Sequence, residues 1–418
     1  MLSQSTKFNT YNIVLALFCV ANLLELFIPR MDEGNYFVRI PIQMIYGANL
    51  FLMWIALMSR KNYWTPVSKA ALVLILLTVV YCIAYFIFFR FNTTDFAPYL
   101  RFLLWTTAII FFYEMMLQYG INELLMRAYV ITFILSVAKK IMESAMYVSD
   151  NLGGGDTAAL PLLFIIPIVL ICFNVKFKFI FMSVIALLVL FSLRRTVILG
   201  LVVCLPFIYR YFSKSLKAYH LVLLGALFAG VLYYTWGYIG EAVIYRFANL
   251  LTGDSGGTKD SFGSGRSEFY MTVWNHWKNG DMFGVIFGNG LTSVQELLLK
   301  YHNIRHAHND FLEIIYTFGL MGVLAWLTLL FRFWKLRSQI KLFSPDNLNL
   351  FYICFISYGV IAMASGCILR ITTLPFALTI SVLIYKVQEG KGVKQQVATP
   401  VVTDEEKSRP FMQVYDTA

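Results

Sequence analysis

Long apolar segments recur along the whole chain, and most of them approach the length that crosses a bilayer. Roughly 20 apolar residues in a helix span a hydrocarbon core of about 30 Å, and stretches such as Val67–Phe89 meet this requirement. Of the 418 residues, 59% are hydrophobic and only 14% are charged, whereas soluble domains carry about a quarter charged residues. The sequence therefore predicts an all-α, polytopic membrane protein.

The hydrophobicity pattern predicts about twelve transmembrane helices and one long polar interruption between the ninth and the tenth. It divides the chain into transmembrane helices 1–9 (residues 1–236), a loop with short helices (237–308), transmembrane helices 10–12 (309–385) and a disordered cytoplasmic tail (386–418). The predicted spans are Tyr11–Ile28, Val38–Met58, Val67–Phe89, Tyr99–Gln118, Ile121–Tyr147, Ala158–Asn174, Phe179–Leu193, Thr196–Tyr211, Tyr219–Trp236, Asn309–Trp334, Leu348–Leu369 and Ile371–Tyr385.

Basic residues predict which side of the membrane each loop faces, because Lys and Arg accumulate in short cytoplasmic loops. With a cytoplasmic N-terminus, pairs such as Arg60 and Lys61 fall in inner loops, and the long loop 237–308 becomes periplasmic. The same signal accounts for the net charge of +11. Nucleic acid is not an expected partner, since no basic soluble domain is present to bind it.

Two adjacent arginines, Arg194 and Arg195, interrupt a long apolar run. Such a pair can mark a cytoplasmic helix end, but the flanking segments carry their own basic anchors, which assigns the pair to the outer side. Phe179–Leu193 reaches only about 22 Å as a helix, so we expect the pair below the outer surface, in a protein cavity. Guanidinium forks match phosphate oxygens. The pair predicts an anion site, and Arg370, at the outer turn between the last two spans, is a weaker candidate.

The second part of the long loop has helical periodicity. Tyr270, Trp274 and Trp277 share one helix face, which either packs on the bundle and membrane interface or stacks on sugar rings. Arg266 lies in the first turn, where a cation is unfavourable toward the helix dipole. It is therefore either a solvated arginine or a ligand for an external phosphate or carboxylate. The glycines of Gly288–Gly290 predict a turn.

The stretch RHAHNDFLE, Arg305–Glu313, lies directly before the tenth span. Asp310 and Glu313 fit the N-cap and N3 positions of that helix. The histidines, His306 and His308, could ligate zinc, but a third ligand is not evident nearby. They could also be structural. We favour a general base, because histidine can take a proton near neutral pH.

Several motifs together resemble the bacterial O-antigen ligase and polymerase superfamily: SLRRT, SGRSEFYMTVW, GNGL and HNDFLEIIYTFGLMG, all within Ser192–Gly322. The resemblance implies an inverting glycosyltransferase of the bacterial inner membrane that needs no metal or other cofactor. Its donor is a glycan on undecaprenyl diphosphate, and its active site faces the periplasm.

Matched residue by residue, the resemblance assigns His308 to deprotonate the acceptor hydroxyl, with His306 as an alternative. It assigns Arg194 or Arg195, together with Arg266, to hold the diphosphate. Arginines can stabilise the charge that develops on such a leaving group.

The acceptor distinguishes the two activities of the superfamily. A ligase uses a lipid A–core sugar, whereas a polymerase uses another lipid-linked repeat unit. Polymerases often have two sizeable external loops, so the single long loop favours a ligase. A transporter or flippase of polyprenyl-linked glycans would also explain buried arginines and about twelve spans. It would not explain a histidine at a loop–span junction.

Overall fold

The computed structural model describes residues 9–28, 36–59, 64–88, 96–147, 159–192, 194–212, 233, 266–290, 292–302, 307–364, 366 and 373–398. Within these residues every regular element is helical. The helices are α1 (Thr10–Glu25), α2 (Tyr36–Met58), α3 (Pro66–Phe88), α4 (Phe96–Tyr119), α5 (Glu123–Tyr147), α6 (Leu162–Cys172), α7 (Val175–Phe191), α8 (Arg195–Phe212), α9 (Arg266–Lys278), α10 (Met282–Phe287), α11 (Ser293–His302), α12 (Asp310–Phe343), α13 (Leu348–Ala364) and α14 (Leu374–Ala398).

The all-helical, membrane-spanning class predicted from the sequence is confirmed. Five helices among the described residues are long and apolar enough to cross a membrane, and three shorter apolar helices accompany them. The long ones are Val38–Met58, Pro66–Ala84, Ala97–Tyr119, Asp310–Phe343 and Pro345–Met363. The ninth predicted span, Tyr219–Trp236, lies outside the described residues except for Tyr233. The count of about twelve spans therefore stays a prediction.

Two helices extend beyond the predicted ends of their spans. The helix α12 continues to Phe343, and α14 continues to Ala398, so residues 386–398 are helical instead of part of a disordered tail. The two extensions pack on each other: Lys391 Nζ donates to Gln339 Oε1 over 3.3 Å, and a methyl group at Gly390 would overlap the backbone of Phe343. Packing stabilises a segment whose composition alone favours disorder.

The helix α12 is broken inside its apolar part. Gly319 has φ 64° and ψ −161°, a conformation that is essentially restricted to glycine. The break frees carbonyl groups that an apolar surrounding cannot satisfy. The Tyr316 carbonyl accepts from Asn289 N (2.9 Å), the Thr317 carbonyl from Gly290 N (3.0 Å), and the Phe318 carbonyl from the Tyr81 hydroxyl (3.1 Å).

The turn Gly288–Gly290, named here the glycine turn, docks directly on this break. Gly288 and Gly290 have φ of 84° and 99°, which confirms the turn predicted from the sequence. A methyl group at Gly288 would overlap the carbonyl group of Thr317, and one at Gly319 would overlap the backbone of Ile286. The two backbones therefore meet without any side chain between them, which ties the α10 segment to α12.

Candidate functional site

The first two turns of α12 lie across the end of α13. Trp326 Nε1 donates to the Tyr358 hydroxyl over 2.8 Å, so these residues lie at one height. In a straight helix Asn309 would stand roughly 25 Å above Trp326, whereas Met363 stands only about 8 Å above Tyr358. Yet Asn309 Nδ2 donates to the Met363 carbonyl over 3.3 Å. The start of α12 must therefore turn sharply at the Gly319 break.

His308 rests over the end of α13. Gly366 N donates to the Ile361 carbonyl over 2.9 Å, and Gly366 has φ 68°, which is a glycine C-cap geometry. A methyl group at Gly366 would lie 3.4 Å from Asn309 N and 3.6 Å from the carbonyl carbon of His308. We name this end of the bundle the His308 side.

The backbone of His308 is in the left-handed region, with φ 57°. Among the described residues, His308 is the one residue other than glycine with a positive φ. Such a conformation in a non-glycine residue often marks a functional site. The Tyr270 hydroxyl of α9 lies 3.5 Å from the His308 carbonyl oxygen, to which it donates. The imidazole is half-buried.

Asn309 and Glu313 hold the start of α12, in a different way from the predicted capping. Asn309, and not Asp310, is the N-cap, and its side chain accepts from Leu312 N over 3.2 Å. Glu313 accepts instead from the N–H of Ala307 over 2.8 Å. Both acids are buried. The prediction was one residue late because Asn and Asp are equally good caps. Glu313 and Asn309 therefore fix the backbone on both sides of the histidine.

The arginine turn, Arg194–Arg195, lies at the same height as this segment. Arg194 precedes α8 and Arg195 begins it; the side chain of Arg195 lies outside the described residues. The helix α8 packs along α13, where the Cys204 thiol lies 3.5 Å from the Ser357 hydroxyl. Arg195 stands about two and a half turns above Cys204, and Ala364 about two turns above Ser357. The arginine turn therefore reaches the end of α13.

The helix α8, which follows Arg194, and the helix α12, which follows His308, pack on opposite faces of α13. Its contacts with α8 include Ile353 and Ser357, whereas those with α12 include Phe355 and Tyr358. These pairs lie on roughly opposite sides of the helix. Because α12 turns across the end of α13, the His308 segment lies above that helix, while the arginine turn lies beside it.

For the other predicted site residues, the structure describes only the backbone, or the residue lies outside the described part of the chain. The backbone of Arg266 begins α9, one turn before Tyr270, whose hydroxyl reaches His308; its side chain lies outside the described residues. His306 and Arg370 lie outside the described residues altogether. Within the part of the chain that is described, no three His, Cys, Asp or Glu side chains cluster so that they could hold a metal ion.

A cleft of about 480 Å³ opens beside His308, between α9, α12 and α13. Its walls are mostly apolar and include Tyr270, Trp274, Asn309, Phe311, Trp326 and Met363. Of the predicted aromatic stripe, Tyr270 and Trp274 line this cleft. Trp277 is buried, and its Nε1 donates to the Val285 carbonyl over 3.2 Å. Packing therefore accounts for one member of the stripe, and the cleft leaves the other two accessible.

The fold and this polar segment define a helical membrane protein with a candidate site at one end of its bundle. Residues 179–327 match the family described as O-antigen ligase, which confirms the resemblance to the O-antigen ligase and polymerase superfamily. This family points to a glycosyltransferase-like ligase or polymerase. Its substrates are expected to be lipid-linked glycans. A comparison with curated proteins finds no match.

The matched residues contain almost the whole candidate site. Arg194, Arg195, Arg266, His306 and His308 all fall within 179–327, whereas Arg370 falls beyond it. Sequence reasoning missed Asn309, Tyr270 as a contact of His308, and Gly366. A glycine shortly after an apolar helix is the one signal that could have indicated the last of these.

Proposed function

We propose that this protein is an O-antigen ligase-type glycosyltransferase of the bacterial inner membrane. It moves a glycan from undecaprenyl diphosphate to a hydroxyl of a lipid A–core sugar, on the periplasmic face. The observation that supports this function is that the arginine turn and the His308 segment both lie at the same end of α13, and that both belong to the residues that match the O-antigen ligase family.

In the proposed reaction His308 takes the proton of the acceptor hydroxyl. The oxygen then attacks the anomeric carbon of the donor sugar from the face opposite the diphosphate. The new glycosidic bond forms as the bond between the sugar and the diphosphate breaks, and undecaprenyl diphosphate leaves with the electron pair. Displacement from the opposite face inverts the anomeric configuration. A positioned base typically contributes about 10²–10⁴ to such a rate.

The arginines would hold the diphosphate and stabilise the negative charge that develops on it. The helix α7, which ends just before the arginine turn, has 17 residues, or roughly 25 Å, which is shorter than a hydrocarbon core of about 30 Å. Its end at the candidate site would therefore lie below the membrane surface. Where water is partly excluded, a guanidinium stabilises an adjacent phosphate more strongly than it does in bulk water.

A lysine at Arg194 is expected to lower glycan transfer by about 10- to 100-fold, because lysine keeps the charge but loses the bidentate fork. The matched control is Arg210→Lys, at the opposite end of the same helix α8, which should leave transfer unchanged. Both variants are compared with the parent by transfer rate per amount of membrane-inserted protein. Equal rates for Arg194→Lys and the parent would remove Arg194 from the diphosphate site.

The function is tested by deleting the gene and analysing both lipopolysaccharide and lipid-linked glycans. Loss of all attached polymer, with lipid-linked polymer accumulating at the periplasmic face, supports the ligase. A single attached repeat unit would indicate a polymerase instead. Lipid-linked glycan retained at the cytoplasmic face would indicate a transporter. Normal attached ladders would contradict all three activities.

A further inference from the structure

The glycine turn lies well inside the ends of two membrane spans. Its docking site includes Phe318, whose carbonyl accepts from the Tyr81 hydroxyl and whose ring centroid lies 5.2 Å from that of Tyr81. Tyr81 stands about two turns, or roughly 10 Å, before the end of α3. On α4, Phe102 lies 5.5 Å from Phe318 and stands roughly 9 Å inside the start of that helix. The distances along α3 and α4 therefore place the docking site at the same depth.

The helix α10 immediately precedes the glycine turn, and its C-terminal end, at Ile286, lies at this depth. Asn289 N and Gly290 N donate hydrogen bonds to α12 carbonyls, and Ile286 lies close to Gly319. These contacts hold α10 against α12. A hydrocarbon core extends to within a few ångströms of the end of a span of this length. The α10 segment therefore lies beside the span, at a depth normally occupied by lipid chains.

The outward face of α10 is apolar. Met282 is 80% exposed, Phe283 58% and Phe287 40%, and the two phenylalanine rings lie 5.0 Å apart. The helix α12, on which α10 packs, also exposes apolar side chains, including Leu320 and Leu324. In water such an apolar surface would be unfavourable, and contiguous apolar patches mark interaction sites.

Several backbone groups of α10 are satisfied within the protein. Asp281 caps the helix by accepting from Gly284 N over 2.8 Å, and Gly288 N donates back to the Gly284 carbonyl over 2.8 Å. The Val285 carbonyl accepts from Trp277 Nε1. Irregular backbone at membrane depth is tolerated where protein groups satisfy it in this way.

We propose that α10 and the glycine turn form a re-entrant element, in which Met282, Phe283 and Phe287 contact the acyl chains of the leaflet on the His308 side. The loop expected to be periplasmic as a whole, residues 237–308, would then dip into the membrane at 282–290. This anchor holds the loop against α12 at the depth of the candidate site. It is independent of whether the protein is a ligase or a polymerase.

The test uses nitroxide labels on the full-length protein in liposomes, in a background whose six cysteines are replaced. Single cysteines are introduced as Phe283→Cys and Phe287→Cys. The lipid-facing control is Leu324→Cys on α12, and the aqueous control is Lys300→Cys, on the exposed side of α11. Collision of each label with oxygen, which concentrates in lipid, and with a water-soluble nickel chelate is measured by electron paramagnetic resonance.

Labels at 283 and 287 are expected to resemble the label at 324, with oxygen collision favoured several-fold over nickel relative to the label at 300. Nickel-favoured collision like that at 300 would overturn the proposal and leave α10 in water. Strong immobilisation with low collision by both reagents would also overturn it, since another protein surface or a second copy would then cover this face. Each variant is reconstituted only if it elutes as the parent does, so misfolding cannot imitate either result.

Discussion

Replacing His308 by alanine is expected to reduce glycan transfer by about 10²–10⁴-fold, the range that a positioned general base contributes. The imidazole is the group that would take the acceptor proton, and alanine cannot replace it. Transfer is measured as attached polymer on a lipopolysaccharide gel and as the rate of release of undecaprenyl diphosphate by the purified protein. Full transfer by the variant at parental protein levels would contradict the role of His308 as base.

Two further variants separate catalysis from folding at this position. His308 has φ 57°, and asparagine tolerates the left-handed region better than most residues but cannot act as a base near neutral pH. His308→Asn should therefore keep parental thermal stability and still lose transfer. His276→Ala is the matched control, because that histidine lies on the exposed side of α9. It should transfer glycan as the parent does.

Replacing Gly319 by alanine is expected to remove both folded protein and transfer. The backbone conformation at Gly319 is strained for any other residue by about 1–3 kcal/mol, and the added methyl group would overlap the backbone of Ile286. Relief of that overlap would separate the glycine turn from α12. The hydrogen bonds to Tyr316 and Thr317 would then be lost, at about 1 kcal/mol each.

The measurement is the thermal unfolding midpoint of the purified protein in detergent, together with its yield from membranes. Gly288→Ala should behave like Gly319→Ala, since it would overlap the Thr317 carbonyl from the other side. Gly47→Ala is the control, because a methyl group there meets no atom within 4 Å inside α2. It should be neutral or stabilising. An unchanged midpoint for Gly319→Ala would show that the break does not depend on glycine.

The break at Gly319 and the end of α13 together explain the position of His308. A straight α12 would carry Asn309 far above Met363, to which it is hydrogen-bonded. Because α13 ends at Ala364, the turned start of α12 lies over that end, where a methyl group at Gly366 would be 3.4 Å from Asn309 N. One helix break and one helix end are therefore the structural causes of the candidate site.

The apolar segments by themselves determined the all-helical membrane class and most helix positions, because span length and hydrophobicity are local properties. The predicted span Val38–Met58, for example, lies inside α2. The motifs around Arg194 and His308 were sufficient to indicate the superfamily that residues 179–327 match. The N-cap was predicted one residue late, because neighbouring Asn309 and Asp310 have similar capping propensities.

Only the tertiary structure decided the break in α12, the helical residues 386–398 and the shared height of the arginine turn and His308. Each depends on contacts between segments that are distant in the sequence. Gly319 lies inside a continuous apolar run, where a glycine is compatible with an ordinary helix, and only the docked glycine turn supplies partners for the carbonyl groups of a broken one. Local periodicity contains no information about such partners, because their hydrogen bonds form only when the chain has folded.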